Sequence, residues 1–247
     1  MVRRIALVVA CVCALGAFAP LGPAAAVAPP PADGTLSCFI TGSAEMTPPL
    51  PVLSADAGTK AGKIQAKKSA ITDCDATGVT GGKAGITGGT SDLKALTAPG
   101  GSCQQLGDVA FGGVPVDPTA QPLIKPSVKV KLTGTGPTGR PTTVATLTVE
   151  NVAMTQGTLG FALTGTVKGT PGRNAFAGRT VTTNISPTNI LELLGCMYGN
   201  PDPAVRSAIS ALLSPYGITP TVAPLGQFMY SSAGFLGIIP PSTITIT

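Results

Sequence analysis

The sequence predicts an all-β protein: an antiparallel sandwich or partly closed barrel with two disulfides and one or two short helices near the C-terminus. Three observations lead to this prediction. Segments of alternating apolar and polar residues follow one another between clusters of glycine and proline. An even number of cysteines remains once an N-terminal leader is set aside. The clearest amphipathic helix pattern lies near residue 205.

The N-terminus has the pattern of a secretory signal peptide over residues 1–26. Two arginines precede an apolar run over residues 5–21, and Ala24–Ala26 offer a cleavage site, with cleavage after Ala28 as the alternative. A loose lipobox ending at Cys11 is the competing interpretation, but it leaves an apolar core shorter than the roughly seven residues that such a leader needs. We therefore expect a secreted, extracellular protein, with loose attachment to the cell envelope as a second option.

Removal of the leader would leave four cysteines, Cys38, Cys74, Cys103 and Cys196. In an exported chain an even number indicates two disulfides, for which three pairings exist. We favour Cys38–Cys74 with Cys103–Cys196, because this pairing closes the shorter first loop. A structural zinc site is the rival interpretation, but it needs closely spaced C-x-x-C pairs, which these four cysteines do not form.

The composition excludes several chemistries. The chain contains no histidine, which rules out Ser-His-Asp and Cys-His catalysis and histidine-ligated metals. It contains no tryptophan and only three tyrosines, which disfavours the stacking platforms of carbohydrate and single-stranded nucleic-acid sites. The net charge of +5 is mild and scattered along the sequence, so we expect no nucleic-acid partner and at most weak attraction to anionic envelope polymers.

Domain organisation follows from composition. Residues 27–33 form a proline-rich lead that we expect to be disordered, and residues 34–247 form a single β-rich domain. Within that domain, consecutive alternating segments separated by short turns predict an antiparallel meander whose strands are rich in threonine and valine. The segments are 127–132, 144–149 and 159–167, with a fourth at 177–185.

One helix is well marked. Asp202 is placed to cap its N-terminus, Pro203 stands at its first position, and Pro215 with Gly217 ends it. We expect this helix to pack across the mouth of the sheet, since a membrane-surface helix would be richer in lysine and arginine. Residues 186–199 form a weaker candidate for a second, shorter helix.

The C-terminal tail, residues 207–247, contains no charged residue. Its prolines interrupt it too often for a transmembrane helix, so we expect none in the mature chain. The tail either packs on or closes the sheet, which we favour, or it faces an apolar partner such as envelope lipid.

The stretch DCDATGVTGGKAGITGG, residues 73–89, is the strongest candidate for a ligand site. Asp73, Asp75 and Thr77 match the start of a calcium loop, but Ala84 occupies the position of the essential glutamate. The same stretch lacks the first glycine of a phosphate loop. We therefore keep these three residues only as weak metal candidates, predict no cofactor, and interpret the glycines as turn and bulge residues.

For nucleophilic catalysis the sequence offers one weak match. Ser91 and Lys94 satisfy the S-x-x-K spacing, but the companion motifs of that family of hydrolases are absent. A pair of carboxylates for glycoside hydrolysis remains open, because separation in space is not visible in a sequence. We assign no catalytic residue.

Several short motifs occur along the mature chain in a fixed order: Ser37-Cys38, Thr41-Gly42, Pro48-Pro49-Leu50, Ile86-Thr87-Gly88-Gly89, Gly101-Ser102-Cys103 with Leu106-Gly107, Thr164-Gly165-Thr166-Val167 and Phe176-Ala177-Gly178-Arg179. In these motifs the chain resembles small exported proteins of high-GC Gram-positive bacteria that have four cysteines, are rich in alanine, glycine and threonine, and have no assigned activity. The resemblance implies an extracellular β-fold and transfers no functional residue.

These observations favour a secreted or envelope-associated, non-catalytic binding or structural protein whose partner is an open question, with envelope lipid or polymer as candidates. A carrier of an apolar or lipid ligand is the alternative, because the tail is uncharged and barrels offer pockets at their mouths. A histidine-independent secreted hydrolase is the second alternative.

Overall fold

Nine β-strands and three α-helices make up the regular structure of the described residues in the computed structural model. The structure describes residues 34–76, 79, 85–97, 99, 101–110, 123–136, 138–156, 161–169, 176–233 and 240–247. The strands are β1 (Leu36–Leu50), β2 (Lys63–Asp75), β3 (Ile86–Thr97), β4 (Leu123–Thr135), β5 (Pro141–Gln156), β6 (Phe161–Val167), β7 (Thr180–Ile185), β8 (Leu225–Tyr230) and β9 (Thr243–Ile246). The helices are α1 (Cys103–Ala110), α2 (Ile190–Tyr198) and α3 (Pro203–Leu213), and short 3-10 turns lie at Ser54–Asp56 and Ser214–Tyr216.

The strands form a closed antiparallel barrel. Each of β1 to β6 pairs with the next strand in the chain, and β9 lies between β7 and β1, which closes a ring of eight strands. Strand β8 is the ninth and pairs with β1. The antiparallel all-β class is therefore confirmed, and of the two architectures expected the protein adopts the barrel, in a fully closed form.

Two short C-terminal strands share the second edge of β1. Its first residues, Leu36–Phe39, pair with β9, while Gly42–Leu50 pair with β8. The other edge of β8 faces the chain that follows β7, where Pro187 forms an isolated β-bridge to Tyr230. The wall between β7 and β1 is thus filled by β9 at one level and by β8 at the next.

Ser242 joins these two levels. Its side chain is fully buried; its Oγ accepts from the Ser186 amide at 3.0 Å and lies 3.2 Å from the Ser186 carbonyl, to which it donates. Its own carbonyl accepts from the Ile40 amide at 3.0 Å. Because buried backbone groups need partners, this serine satisfies the polar groups that a continuous strand would have paired.

The alternation expected for the meander is present. Val128, Val130 and Leu132 of β4 point into the barrel and are at most 5% exposed, while Lys129 and Lys131 lie on the outside. Leu147 and Val149 of β5 continue this inner layer. The core is built from valine, leucine and isoleucine side chains contributed by successive strands.

Both predicted disulfides are confirmed. Cys38–Cys74 links β1 to β2, and Cys103–Cys196 links α1 to α2. The capped helix is also confirmed, since the Asp202 carboxylate accepts from the Ala204 amide at 2.8 Å at the start of α3. With α2 it gives the two short C-terminal helices expected from the sequence. Among the described residues, no helix has the length and apolarity needed to cross a membrane.

A buried asparagine ties the three helices together. Asn200 is 1% exposed, and its amide nitrogen donates to the Gln104 carbonyl at 2.9 Å and to the Asp108 carboxylate at 2.6 Å. Its side-chain oxygen accepts from the Asp202 amide at 2.8 Å. This side chain thereby joins α1, the end of α2 and the cap of α3, and none of its hydrogen-bonding groups is lost on burial.

Candidate functional site

The residues considered for metal binding lie at the end of β2. Asp73 has a backbone φ of 48° and occupies a bulge, where β2 has one residue more than β1 between Thr72 and Asp75. Aspartate tolerates this left-handed conformation better than most residues. Thr77 lies outside the described residues. Within the part of the chain that the structure describes, no group of three or more acidic or cysteine side chains is arranged to hold a metal ion.

At two positions of the same stretch, Gly88 and Gly89, the close packing of neighbouring strands requires glycine. A Cβ on Gly88 would lie 2.5 Å from the backbone oxygen of Ile71 in β2, and a Cβ on Gly89 would lie within van der Waals overlap of the Lys131 carbonyl in β4. The backbones of three strands therefore approach each other more closely here than any side chain allows. These glycines let β3 pass between its neighbours.

Ser91 and Lys94 do not form a catalytic pair. Both lie in β3, where residues three positions apart point to opposite faces of the sheet. Ser91 is buried in the barrel opposite Ser69, whereas Lys94 is exposed on the outside. Sequence spacing suggested a shared helical face, and the strand conformation removes it.

A pair of buried hydroxyls connects β2 with β8. Ser69 and Tyr230 are 2% and 4% exposed, and their side-chain oxygens lie 2.5 Å apart. Gly42 makes room for them, because a Cβ there would lie 2.6 Å from Ser69 Oγ. Burial raises the pKa of the Tyr230 phenol, and the hydrogen bond from Ser69 opposes this in part. The pair is a structural contact inside the barrel wall.

This contact predicts a loss of stability at high pH. The pKa of Tyr230 is raised in the folded protein, so the unfolded chain releases the phenolic proton first, and the free energy of unfolding should fall as the pH rises above about 10. Urea unfolding between pH 8 and 11 measures this. Tyr230→Phe should lose about 1 kcal/mol at neutral pH and show a shallower decline. Identical declines in both proteins would contradict the prediction.

The barrel interior is filled by its own side chains. Leucine, isoleucine and valine residues from six strands have less than 2% of their surface exposed, namely Leu36, Val130, Leu132, Leu147, Val167, Val181, Ile244 and Ile246. Packing at this density leaves no space for a lipid chain among these residues. A ligand of that kind would have to bind away from this inner layer.

The outer surface of β2, β3 and β4 carries a cluster of lysines, which we call the lysine face. All six side chains are exposed, and all belong to three adjacent strands: Lys63, Lys67, Lys68, Lys94, Lys129 and Lys131. The charges that looked scattered along the sequence are thus brought together by strand pairing.

Few carboxylates oppose this charge. Asp92, directly opposite Lys129, is the single acidic residue on the outer side of β3, and its carboxylate accepts from the Lys68 amide at 2.9 Å. That hydrogen bond stabilises the bulge at Lys68, whose φ is 53°. The nearest acidic neighbour on β1 is Glu45, opposite Gln65. Asp73 and Asp75 lie at the far end of β2, so the six lysines outnumber the carboxylates of these strands and the lysine face carries a net positive charge.

An open surface groove of about 240 Å³ lies within the lysine face. It is lined by the paired segments 63–65 of β2 and 94–96 of β3. Lys63 and Lys94 stand on either side of it as diagonal neighbours, two residues apart in register. Their ammonium groups can thus reach one bound group from two directions.

A second surface feature lies elsewhere in the chain. The exposed large apolar side chains of the described residues all fall between positions 191 and 229: Leu191, Leu212, Tyr216, Ile218, Val222 and Met229. None of them belongs to β2, β3 or β4. The positive and the apolar surfaces are therefore built from separate parts of the fold.

Comparison of the chain with protein-family models, with curated proteins and with solved structures finds no match. The chemistry of the barrel and its surfaces is therefore what indicates a function.

Proposed function

We propose that this protein is a non-catalytic binding module that works outside the cell, secreted or associated with the cell envelope. The observation that carries the proposal is the contrast between a barrel filled with apolar side chains and an outer face that carries six lysines and a groove flanked by two of them. A filled barrel of this kind serves as a rigid support for a surface site.

The disulfides support the extracellular part of the proposal. Disulfides persist in oxidising compartments and are rare in the cytosol. Both bonds here are formed by fully buried or partly buried cysteines that bridge separate elements, β1 to β2 and α1 to α2. Together with the leader-like residues 1–26, they favour export.

The placement of reactive groups supports the non-catalytic part. Nucleophilic catalysis needs a nucleophile and a base within hydrogen-bond reach of each other. Ser91 and Lys94 lie on opposite faces of β3, and the buried hydroxyl of Ser69 is engaged by Tyr230.

The carrier of an apolar ligand is the second candidate function. It is favoured by the exposed apolar side chains between residues 191 and 229, all but one of which lie within the uncharged tail, residues 207–247. Because the inner layer of the barrel is filled, such a ligand would bind on the outside, against α3 and the chain that follows it. Native mass spectrometry of the purified protein would detect a co-purifying lipid.

Cell fractionation combined with activity assays tests the proposal. The full chain, expressed with residues 1–26 in a high-GC Gram-positive host, should be recovered from the medium or from an envelope wash, with the leader removed. Purified folded protein should not hydrolyse ester, peptide or glycan substrates above the level of a heat-unfolded sample. Turnover that scales with folded protein, or recovery only from the cytosol, would refute the proposal.

A further inference from the structure

We propose that the lysine face binds a linear, phosphate-bearing polymer, with the groove between Lys63 and Lys94 holding one of its phosphates. This inference rests on the proposed function as a binding module and names the chemistry of its partner. A phosphate polymer is recognised by repeated positive charge along an extended path, which is what three adjacent lysine-bearing strands provide.

The spacing of the lysines is set by the strands. Lys129 and Lys131 are two residues apart on β4, which places their Cα atoms roughly 6.8 Å apart along the strand. Adjacent strands are separated by about 4.8 Å, so Lys94 on β3 and Lys63 on β2 extend the same array sideways. The result is a positive surface that an extended chain of phosphates can contact at several points.

The cross-strand neighbours of the lysines are suited to phosphate as well. Lys131 is paired with Thr90 on one side and Thr146 on the other, and Lys94 is paired with Gln65 and Ser127. No two lysines of these pairs stand directly opposite each other, which avoids the most unfavourable like-charge contacts. Hydroxyl and amide groups between the ammonium groups can donate further hydrogen bonds to phosphate oxygens.

A membrane surface fits the lysine face less well than a polymer does. Proteins that bind anionic bilayers through lysines also insert apolar side chains beside them. Here the exposed large apolar residues of the described chain lie between positions 191 and 229, outside β2, β3 and β4.

A nucleic acid fits less well for a different reason. Single-stranded nucleic acids are bound through aromatic side chains on which the bases stack. The sequences of β2, β3 and β4 contain no phenylalanine, tyrosine or tryptophan. The lysine face therefore matches the phosphates of a polymer and offers nothing for its bases, which favours a polymer that lacks them.

The groove provides one defined position on the lysine face at which a phosphate can bind. Its volume of about 240 Å³ accommodates a phosphate together with the linking atoms on both sides. Leu96, directly opposite Lys63, supplies an apolar surface against which those atoms can lie. Lys63 and Lys94 flank the same space, so a phosphate held there meets both ammonium groups.

Binding of long-chain inorganic polyphosphate to the full-length mature protein tests the inference, by fluorescence anisotropy or calorimetry from 25 to 300 mM salt. Wild type should bind with an affinity that falls steeply with salt, by a slope of about 0.7 for each phosphate contacted. The Lys63→Gln/Lys94→Gln variant should bind about tenfold more weakly at 50 mM salt, with a slope lower by about 1.4.

The matched control removes two positive charges from other parts of the surface. Lys168, which pairs with Glu150, and Arg206 on α3 lie outside β2, β3 and β4. The Lys168→Gln/Arg206→Gln variant has the same net charge as the groove variant and should bind like wild type. Equal weakening in both double variants would show a response to net charge alone and would overturn the inference.

Two competing ligands complete the test. Vesicles containing phosphatidylglycerol and single-stranded DNA should each bind more weakly, per phosphate, than polyphosphate. Stronger binding to either would overturn the assignment of a base-free polymer. Absence of polyphosphate binding at 25 mM salt, with a folded far-UV spectrum, would also overturn it. That outcome would leave the proposed function intact if the protein is recovered outside the cell and lacks hydrolytic activity.

Discussion

Replacing both Cys103 and Cys196 with alanine is expected to lower the free energy of unfolding by about 4 kcal/mol. The bond joins residues 93 positions apart, and a cross-link of that span removes much of the conformational entropy of the unfolded chain. Both side chains are fully buried between α1 and α2, so the variant also loses a packing contact between these two helices in the folded state. Urea unfolding under oxidising conditions measures the loss.

Two controls sharpen this experiment. Removing Cys38 and Cys74, which are 36 positions apart, should cost nearly as much, within about 1 kcal/mol, because loop entropy depends only weakly on loop length. Fully reduced wild type should resemble a variant that lacks both bonds. A loss under 1 kcal/mol for the Cys103/Cys196 variant would contradict the prediction and would point to free thiols in the native protein.

The Gly89→Ala substitution is expected to destabilise the barrel by about 3 kcal/mol or to prevent folding. The added methyl group would overlap the Lys131 carbonyl, which is part of the β3–β4 ladder and cannot move without breaking it. Overpacking against side chains commonly costs about 1–3 kcal/mol, and a backbone group yields less than a side chain does.

Gly226→Ala is the matched control, because Gly226 also lies in a strand but its added methyl group would meet only Pro49, at 3.8 Å. That variant should remain within about 0.5 kcal/mol of wild type, as expected where a new methyl group makes ordinary contacts. Thermal unfolding followed by circular dichroism compares the two. If both variants unfold at the same temperature as wild type, the close approach of β3 and β4 is wrong.

The sequence predicts those strands and helices whose residues show a regular local pattern. Alternation over residues 127–132 and 144–149 locates parts of β4 and β5, and the Asp202-Pro203 pair marks the start of α3. These features depend on neighbours in the chain, so the chain shows them directly. The disulfide pairing is also confirmed, although the preference for a shorter first loop does not by itself distinguish this pairing from the other two.

Bulges explain part of what the sequence did not reveal. Lys68, Asp73 and Asn151 each have a positive φ where one strand gains a residue over its neighbour. An extra residue shifts the alternation by one position and hides the continuity of long strands such as β2 and β5. Asp73 and Asp75 have the spacing of a metal-binding loop in the sequence. In the structure, Asp73 lies in such a bulge near the end of β2.

The lysine face could not be predicted because it depends on register. Its lysines lie at positions 63–68, 94 and 129–131, far apart in sequence, and only the pairing of β2 with β3 and of β3 with β4 brings them together. Helix α1 was missed for another reason. It has eight residues and contains a glycine, and its clearest local signal is Ser102, whose hydroxyl accepts from the Gln105 amide at 3.3 Å.

The shared edge of β1 has a consequence for how the molecule is made. A polypeptide that emerges N-terminus first can form the meander from β1 to β7 early, but the partners for the remaining edges arrive only with residues 225–246. Until then, β1 and β7 present unpaired amides and carbonyls to any neighbouring chain, a state prone to intermolecular pairing. Protection by a chaperone during synthesis would matter most in this interval, before ring closure pairs both exposed strand edges.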